Sequence, residues 1–281
     1  MKTIDGKAIA KRLRDDLAKE IAESDTKPKL GVLLIGDDPA SHVYVNLKEK
    51  AAHEVGIETD VQRLPADTPD ERLEEIIRTW NADNSVSGIL IQLPLPKGHD
   101  TDRIISVIDP KKDADGFHPE TIRALEEGRA TILSPVHEAV LRLIADTGFD
   151  PRNKATTILA NSETFAKPLA KLLQKAGFIT AIMDPDELDV DVLKTSDVIV
   201  SAIGRPHFIK KDLVRPGTII IDVGITKDEL GKIHGDADAN DLEDVDGWIT
   251  PVPGGIGPMT IALLLKNVYR LDSRKSEVGS R

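Results

Sequence analysis

Seven short strand-like runs, most of them continuously apolar, alternate along this chain with stretches in which apolar residues recur at helical spacing. They cover residues 30–35, 57–64, 86–93, 155–160, 178–183, 197–203 and 218–223. A strand that is apolar at every position is buried on both faces, and strands joined through helices run parallel. The expected fold class is therefore α/β, with mainly parallel sheets covered by helices, and 281 residues suffice for two such lobes. In the second half, a strand at 155–160, a helix closing at Ala176 and Gly177, and a strand at 178–183 make one βαβ unit of mononucleotide-binding type. That unit makes the second lobe Rossmann-like. We expect a first lobe at 1–118 completed by a helix at 259–271, a dinucleotide-binding lobe at 136–257, and a mobile charged tail after Asp272.

Composition removes several classes of function. With no cysteine there is no disulfide framework and no thiolate nucleophile, and the seven histidines lack the paired spacing of a zinc site, so no metal is expected. A net charge of −11 argues against nucleic-acid binding and gives no long-range attraction for an anionic substrate. No run approaches the roughly 18 apolar residues of a membrane span. The opening MKTIDGKAIAKRL lacks the apolar core of a secretory signal, so the expectation is a cytoplasmic protein without a membrane partner.

The stretch from Asp38 to Gly56 carries the first candidate chemistry. Asp38 can cap a helix whose first residue is Pro39, and Gly56 stands where a left-handed C-terminal residue is wanted. Val43, Leu47 and Ala51 then read as a buried stripe, with Tyr44 and Lys48 one turn apart along its edge. Lys50 has Glu54 four residues on, whereas Lys48 has no carboxylate among its helical neighbours. A lysine desolvated by apolar neighbours loses proton affinity and becomes usable in acid–base work. The bland alternative is a lysine whose stem lies over the core edge.

Other local signals frame that helix. Gln92 falls near the C-terminal end of a strand, where parallel sheets bind ligands. The loop at 109–119 holds Asp109, Asp113 and Asp115, but lacks the spacing and closing glutamate of a calcium loop. Thr68-Pro69-Asp70-Glu71 reads as a capping box, and Ser134 as the cap of a helix opening at Pro135. Residues 246–258 read as a rigid loop of prolines and glycines.

Six segments, in order, carry a resemblance: IDGK at 4–7, DPAS and YVNLK within 38–48, SGILIQLPLP at 87–96, KDADGFHP at 112–119, IIIDVGI at 219–225 and TPVPGGIGPMT at 250–260. Together they resemble the bifunctional methylenetetrahydrofolate dehydrogenase/methenyltetrahydrofolate cyclohydrolases of the FolD type. The resemblance implies oxidation of 5,10-methylenetetrahydrofolate with NAD(P) and hydrolysis of the methenyl product to 10-formyltetrahydrofolate. It implies a catalytic group of Tyr44, Lys48 and Gln92, and substrate binding by Tyr44, Asp115, Pro253, Gly254 and Gly255. Cofactor contacts would fall on Ala160, Asn161, Ser162, Asp184 and Ile225, in a homodimer formed through the second lobe.

The cofactor turn departs from the family pattern. Relatives carry G-x-S-x-x-V-G-x-P where this chain reads Ala160 to Pro168, ANSETFAKP, so both glycines have become alanine. A methyl group there stands in the way of the pyrophosphate or forces a shift, and Glu163 places a negative charge at the helix start. The family expectation is NADP, but Asp184 at the end of the second strand favours the unphosphorylated ribose of NAD. The alternatives are a cyclohydrolase with a degenerate dinucleotide site and no cofactor, or a non-catalytic folate-binding protein.

Overall fold

The computed structural model describes residues 1–25 and 27–278, with side chains described as far as Arg274. The first elements are β1 (Lys2–Thr3), α1 (Gly6–Ala22), β2 (Lys29–Ile35), α2 (Pro39–Val55), β3 (Glu58–Leu64), α3 (Asp70–Ala82) and β4 (Gly88–Ile91). Then come α4 (Thr101–Ser106), α5 (Pro119–Glu126), α6 (Pro135–Asp146), β5 (Ala155–Ala160), α7 (Glu163–Ala176), β6 (Ile179–Met183) and α8 (Val190–Thr195). The last are β7 (Val198–Ala202), β8 (Thr218–Asp222), β9 (Thr226–Lys227), β10 (Ile233–His234), β11 (Gly247–Ile249) and α9 (Ile256–Val278).

Two compact units divide the chain, one of Lys11–Pro135 with Ile261–Arg281, the other of Met1–Ala10 with Val136–Thr260. The first holds a parallel sheet in the order β3-β2-β4, with Val32 paired to both Val61 and Leu90. Period-two alternation along β2 serves two cores. Leu30, Val32 and Leu34 pack with Val45, Ala52 and Val55 of α2 and with Leu264, Leu265 and Val268 of α9. Leu33 and Ile35 pack on the other face with Leu73, Ile77 and Trp80 of α3. Both faces of the strand are dry, as its unbroken apolar run requires.

The other unit contains a six-stranded sheet in the order β1-β11-β8-β7-β5-β6, every pairing parallel. From β5 the chain steps to β6 on one side and to β7 on the other, so the C-terminal end of β5 is a topological switch point, the place where doubly wound sheets bind ligands. Its core includes Leu159, Met183, Ile199, Ile220 and Ile249.

Several expectations change. Residues 1–10 belong with the six-stranded sheet and not with the first lobe, because β1 pairs with β11 and Ile4 N donates to Ile249 O at 2.8 Å. Part of the expected rigid loop is strand β11. Helix α9 begins at Ile256 and runs through Val278, past the expected start of the tail at Asp272. Ser87 Oγ donates to Asp272 at 2.7 Å and Arg274 donates to Thr131 Oγ1 at 2.6 Å, which holds these turns. Residues 279–281 of that tail lie outside the described residues.

Two capping expectations also fail. The hydroxyl of Thr68 donates back to Pro65 O at 2.8 Å, so the cap position of α3 passes to Pro69, which makes no side-chain bond. Ser134 Oγ is buried without a hydrogen-bond partner and does not cap α6.

Candidate active site

Helix α2 forms where its caps place it. Asp38 accepts from Ser41 N at 2.8 Å, Pro39 fills the first position, and Gly56 ends the helix at φ 87°. The expected buried stripe is wrong in register: Val43 and Leu47 are 57% and 48% exposed, although Ala51 is buried. The buried face runs through Ser41, Val45, Ala52 and Val55, and it is Val45, Ala52 and Val55, not Val43 and Leu47, that meet the β2 core. Lys48 lies three residues after Val45 and four before Ala52. It therefore lies on the core side of the helix and is itself half-buried, which leaves its ammonium short of water.

Lys48 Nζ donates to Gln92 Oε1 at 2.9 Å. Gln92 is fixed twice more, its Nε2 donating to Leu93 O at 2.7 Å and its backbone N to Leu33 O at 2.9 Å. Burial pushes the Lys48 amine below its ordinary proton affinity, and the nearby charge of Asp115 restores part of it. Burial likewise pushes the Asp115 carboxyl up to about 6, with Lys48 opposing and Asp113 adding to the shift. Amine and carboxyl are thus both drawn toward the neutral range, the condition under which a group can give or take a proton. Burial raises the Tyr44 phenol as well. Among the described residues no hydrogen bond joins that phenol to Lys48.

Asp115 sits on a loop held from several sides. Asp113 pairs with Ile89 in a parallel bridge and accepts from Gly116 N and His118 N, each at 2.9 Å. Buried Asn267 of α9 donates to Ala114 O and Leu133 O. Gly116 has φ +75°, and a side chain there would meet the Ser134 backbone at 2.7 Å. Of the three loop aspartates, Asp109 caps a short helical turn and Asp113 organises the loop, which leaves Asp115 for chemistry. Among the described residues no cluster of metal-binding side chains occurs.

The second set of candidate residues lies in the other unit. Ala160 closes β5 and Ala166 lies inside α7, both buried, and neither has a left-handed backbone. The two methyl groups are packed into the fold and sit in ordinary backbone geometry. Ser162 takes the cap position of α7 in extended geometry with no side-chain cap bond, so the first-turn amides keep the anion-binding character of a helix start. Glu163 is ion-paired to Lys167 at 2.6 Å, which offsets its charge. Asn161 Nδ2 donates to Ile203 O at 3.1 Å, tying the turn to the end of β7. Asp184 uses one carboxylate oxygen to cap a helical turn through Asp186 N at 2.8 Å. Ile225, beyond β8, is 49% exposed. The helix start, the switch point and an acidic group after β6 fit a dinucleotide. Pro253 follows a cis peptide bond, Gly254 has φ +119°, and Gly255 N donates to Pro251 O at 2.8 Å.

Two family models match the chain: tetrahydrofolate dehydrogenase/cyclohydrolase, catalytic domain, over residues 4–115, and tetrahydrofolate dehydrogenase/cyclohydrolase, NAD(P)-binding domain, over residues 134–276. The chain belongs to the tetrahydrofolate dehydrogenase/cyclohydrolase family. The bifunctional protein FolD of Lachnoclostridium phytofermentans is 41% identical over 268 residues, 94% of this chain and 95% of that protein. The crystal structure of bifunctional FolD methylenetetrahydrofolate dehydrogenase/cyclohydrolase from Campylobacter jejuni superposes with a TM-score of 0.93 at 35% identity, covering 98% of this chain and 99% of that one. FolD from Trypanosoma brucei, solved with NADP cofactor and an inhibitor, gives a TM-score of 0.92 at 31% identity over 98% of each chain. Among the described residues no helix is long and apolar enough to cross a membrane.

Within this family member the sequence left three supports of the dinucleotide unit unread. Asp236 accepts from Ser201 Oγ, Ile203 N and Arg205 N, fixing the loop after β7. Asp222 beside it accepts from Gly224 N, Asp236 N and Ala237 N, and burial pushes it up to about 7 against the pull of those amides. His137 is buried, donates to Phe165 O at 3.0 Å in the first turn of α7, and is held neutral by a burial that pushes it down to about 4. The one sequence signal was a polar residue inside an apolar run, as Asp222 is. His137 and Asp236 gave none, because their partners are more than 25 residues away.

Proposed function

We propose that this protein oxidises 5,10-methylenetetrahydrofolate and hydrolyses the resulting 5,10-methenyltetrahydrofolate to 10-formyltetrahydrofolate, with Lys48 as the proton carrier. The observation that carries the reading is the amine of Lys48, half-buried on the core side of α2, lowered in proton affinity by that burial and hydrogen-bonded to Gln92. In hydrolysis, the neutral amine takes a proton from the attacking water as its oxygen bonds to the methenyl carbon. Cleavage of the bond from that carbon to one ring nitrogen returns the proton from Lys48 to that nitrogen, while the new hydroxyl loses its own proton to solvent and becomes the formyl oxygen on the other nitrogen. Gln92 orients the amine, Tyr44 orients the substrate ring, and Asp115 binds the pterin. Contact with the folate is the role proposed for Pro253, Gly254 and Gly255.

The nicotinamide dinucleotide, when bound, supplies the hydride acceptor for the oxidation. Ala160, Asn161, Ser162 and Ile225 line its proposed site. The free oxygen of Asp184 can accept from a ribose hydroxyl, which favours NAD over NADP. The same reading makes the protein a cytoplasmic homodimer. Replacing Lys48→Met tests it through the absorbance decay of methenyltetrahydrofolate. The expected loss is about 10²- to 10⁴-fold, the usual worth of a positioned acid–base group, with the fold unchanged by circular dichroism. Hydrolysis within a few-fold of wild type would remove Lys48 from the mechanism.

A further inference from the structure

Arg205 follows β7 and Asp186 follows β6, and these strands flank β5 on its two sides. The side chains meet: Arg205 Nη2 donates to Asp186 Oδ1 at 2.6 Å. Both loops leave the C-terminal ends of parallel strands, so the ion pair links the loops on either side of the switch point at the end of β5. Each partner is anchored through its own backbone. Arg205 N donates to Asp236 Oδ1 at 2.9 Å, and Asp186 N to Asp184 Oδ1 at 2.8 Å. The side chains themselves are open to solvent, 40% for Arg205 and 74% for Asp186.

An exposed pair of this kind adds little to stability. Its position suggests a different use. The end of the second strand is where a Rossmann-like unit distinguishes the ribose hydroxyl of NAD from the 2′-phosphate of NADP, and an arginine nearby is the usual partner of that phosphate. Arg205 has the planar fork that suits a phosphate, but a carboxylate already engages it. We propose that Asp186 occupies, from within the chain, the place of the 2′-phosphate on Arg205, and so acts as a specificity-determining residue for NAD. A 2′-phosphate arriving there meets two carboxylates, Asp184 and Asp186, and an arginine already neutralised. Removing Asp186 takes away one repulsive charge and frees the guanidinium.

This inference rests on the reading of the second unit as a dinucleotide site, and the test separates the two. Isothermal titration is carried out on wild type, Asp186→Ser and the double variant Asp186→Ser/Arg205→Gln, with NAD, NADP, 5′-AMP and adenosine 2′,5′-bisphosphate as ligands. Wild type is expected to bind NAD more tightly than NADP. Asp186→Ser should tighten NADP and the 2′,5′-bisphosphate by about tenfold or more, the equivalent of one freed charge-assisted contact, with NAD and 5′-AMP within about threefold of wild type. The double variant should lose the gain. Asp186→Asn serves as a second variant if the serine protein melts early. Unchanged NADP affinity beside intact NAD binding overturns the role of Asp186 and leaves the dinucleotide reading standing, as does a gain that survives loss of Arg205. Absence of binding by all four ligands to every protein overturns both.

Discussion

At the level of single residues, two groups drawn toward neutrality in one place imply a coupled pH response. The negative charge of Asp115 favours the protonated form of Lys48, so its removal lowers the proton affinity of the amine further. For Asp115→Asn, the limb on which hydrolysis rises as Lys48 loses its proton should move to lower pH. In wild type, with Asp115 in its proposed role, the carboxyl should take up its proton as pH falls through about 6 and release its ionic hold on the pterin, so KM should rise below that pH. The variant should lack this rise and show a uniformly higher KM. kcat and KM for hydrolysis between pH 5 and 9 decide both points. The sequence revealed Lys48 because no carboxylate stands one turn away, yet it misjudged why the lysine is dry. Val43 and Leu47 look like core by spacing alone, and only the contacts of α2 with β2 put Val45 and Ala52 inside instead. Gln92 was legible from its position at a strand end; its grip on Lys48, 44 residues away, followed only from the family resemblance and not from local spacing.

At the level of elements, α7 shows how a local rule can be broken without harm. Glycine is expected in the turn for close approach of a phosphate, but Ala166 is buried in ordinary helical geometry. Restoring the family residue with Ala166→Gly should therefore cost stability, about 1 kcal/mol for a helix-interior glycine, without improving dinucleotide affinity. Urea denaturation and titration with NAD measure the two effects; tighter binding would mean that the methyl group does obstruct the site. The long strands and the capped helices α2 and α7 were readable because each carries its own periodicity and end signals. The two- and three-residue strands β1, β9, β10 and β11 were not, since so few residues hold no period, and their pairing is decided by distant partners. Thr68 and Ser134 show the same limit: a hydroxyl at a cap position can donate to a nearby carbonyl instead, as Thr68 does, or be buried without a partner, as Ser134 is.

At the scale of the whole molecule, β6 is the edge of the six-stranded sheet and presents Ile179 and Ile182 at 62% and 47% exposure. An apolar edge strand invites pairing with a second chain, which supports the proposed homodimer. Ile182→Lys should lower the sedimenting mass toward one chain, 30.6 kDa, where wild type is expected to sediment as twice that. A wild-type protein that sediments as a single chain would remove the dimer from the reading. The strand and helix order pointed to two parts, but the boundaries of the compact units were not legible, because each unit is built from two separate stretches of the chain. That interleaving matters during synthesis. When residue 135 leaves the ribosome, the three-stranded sheet has all its strands but lacks Leu264, Leu265 and Val268, which cover one of its faces. The newborn chain must shelter that half-covered face while all of residues 136–260 are made, so the sheet synthesised first is the one completed last.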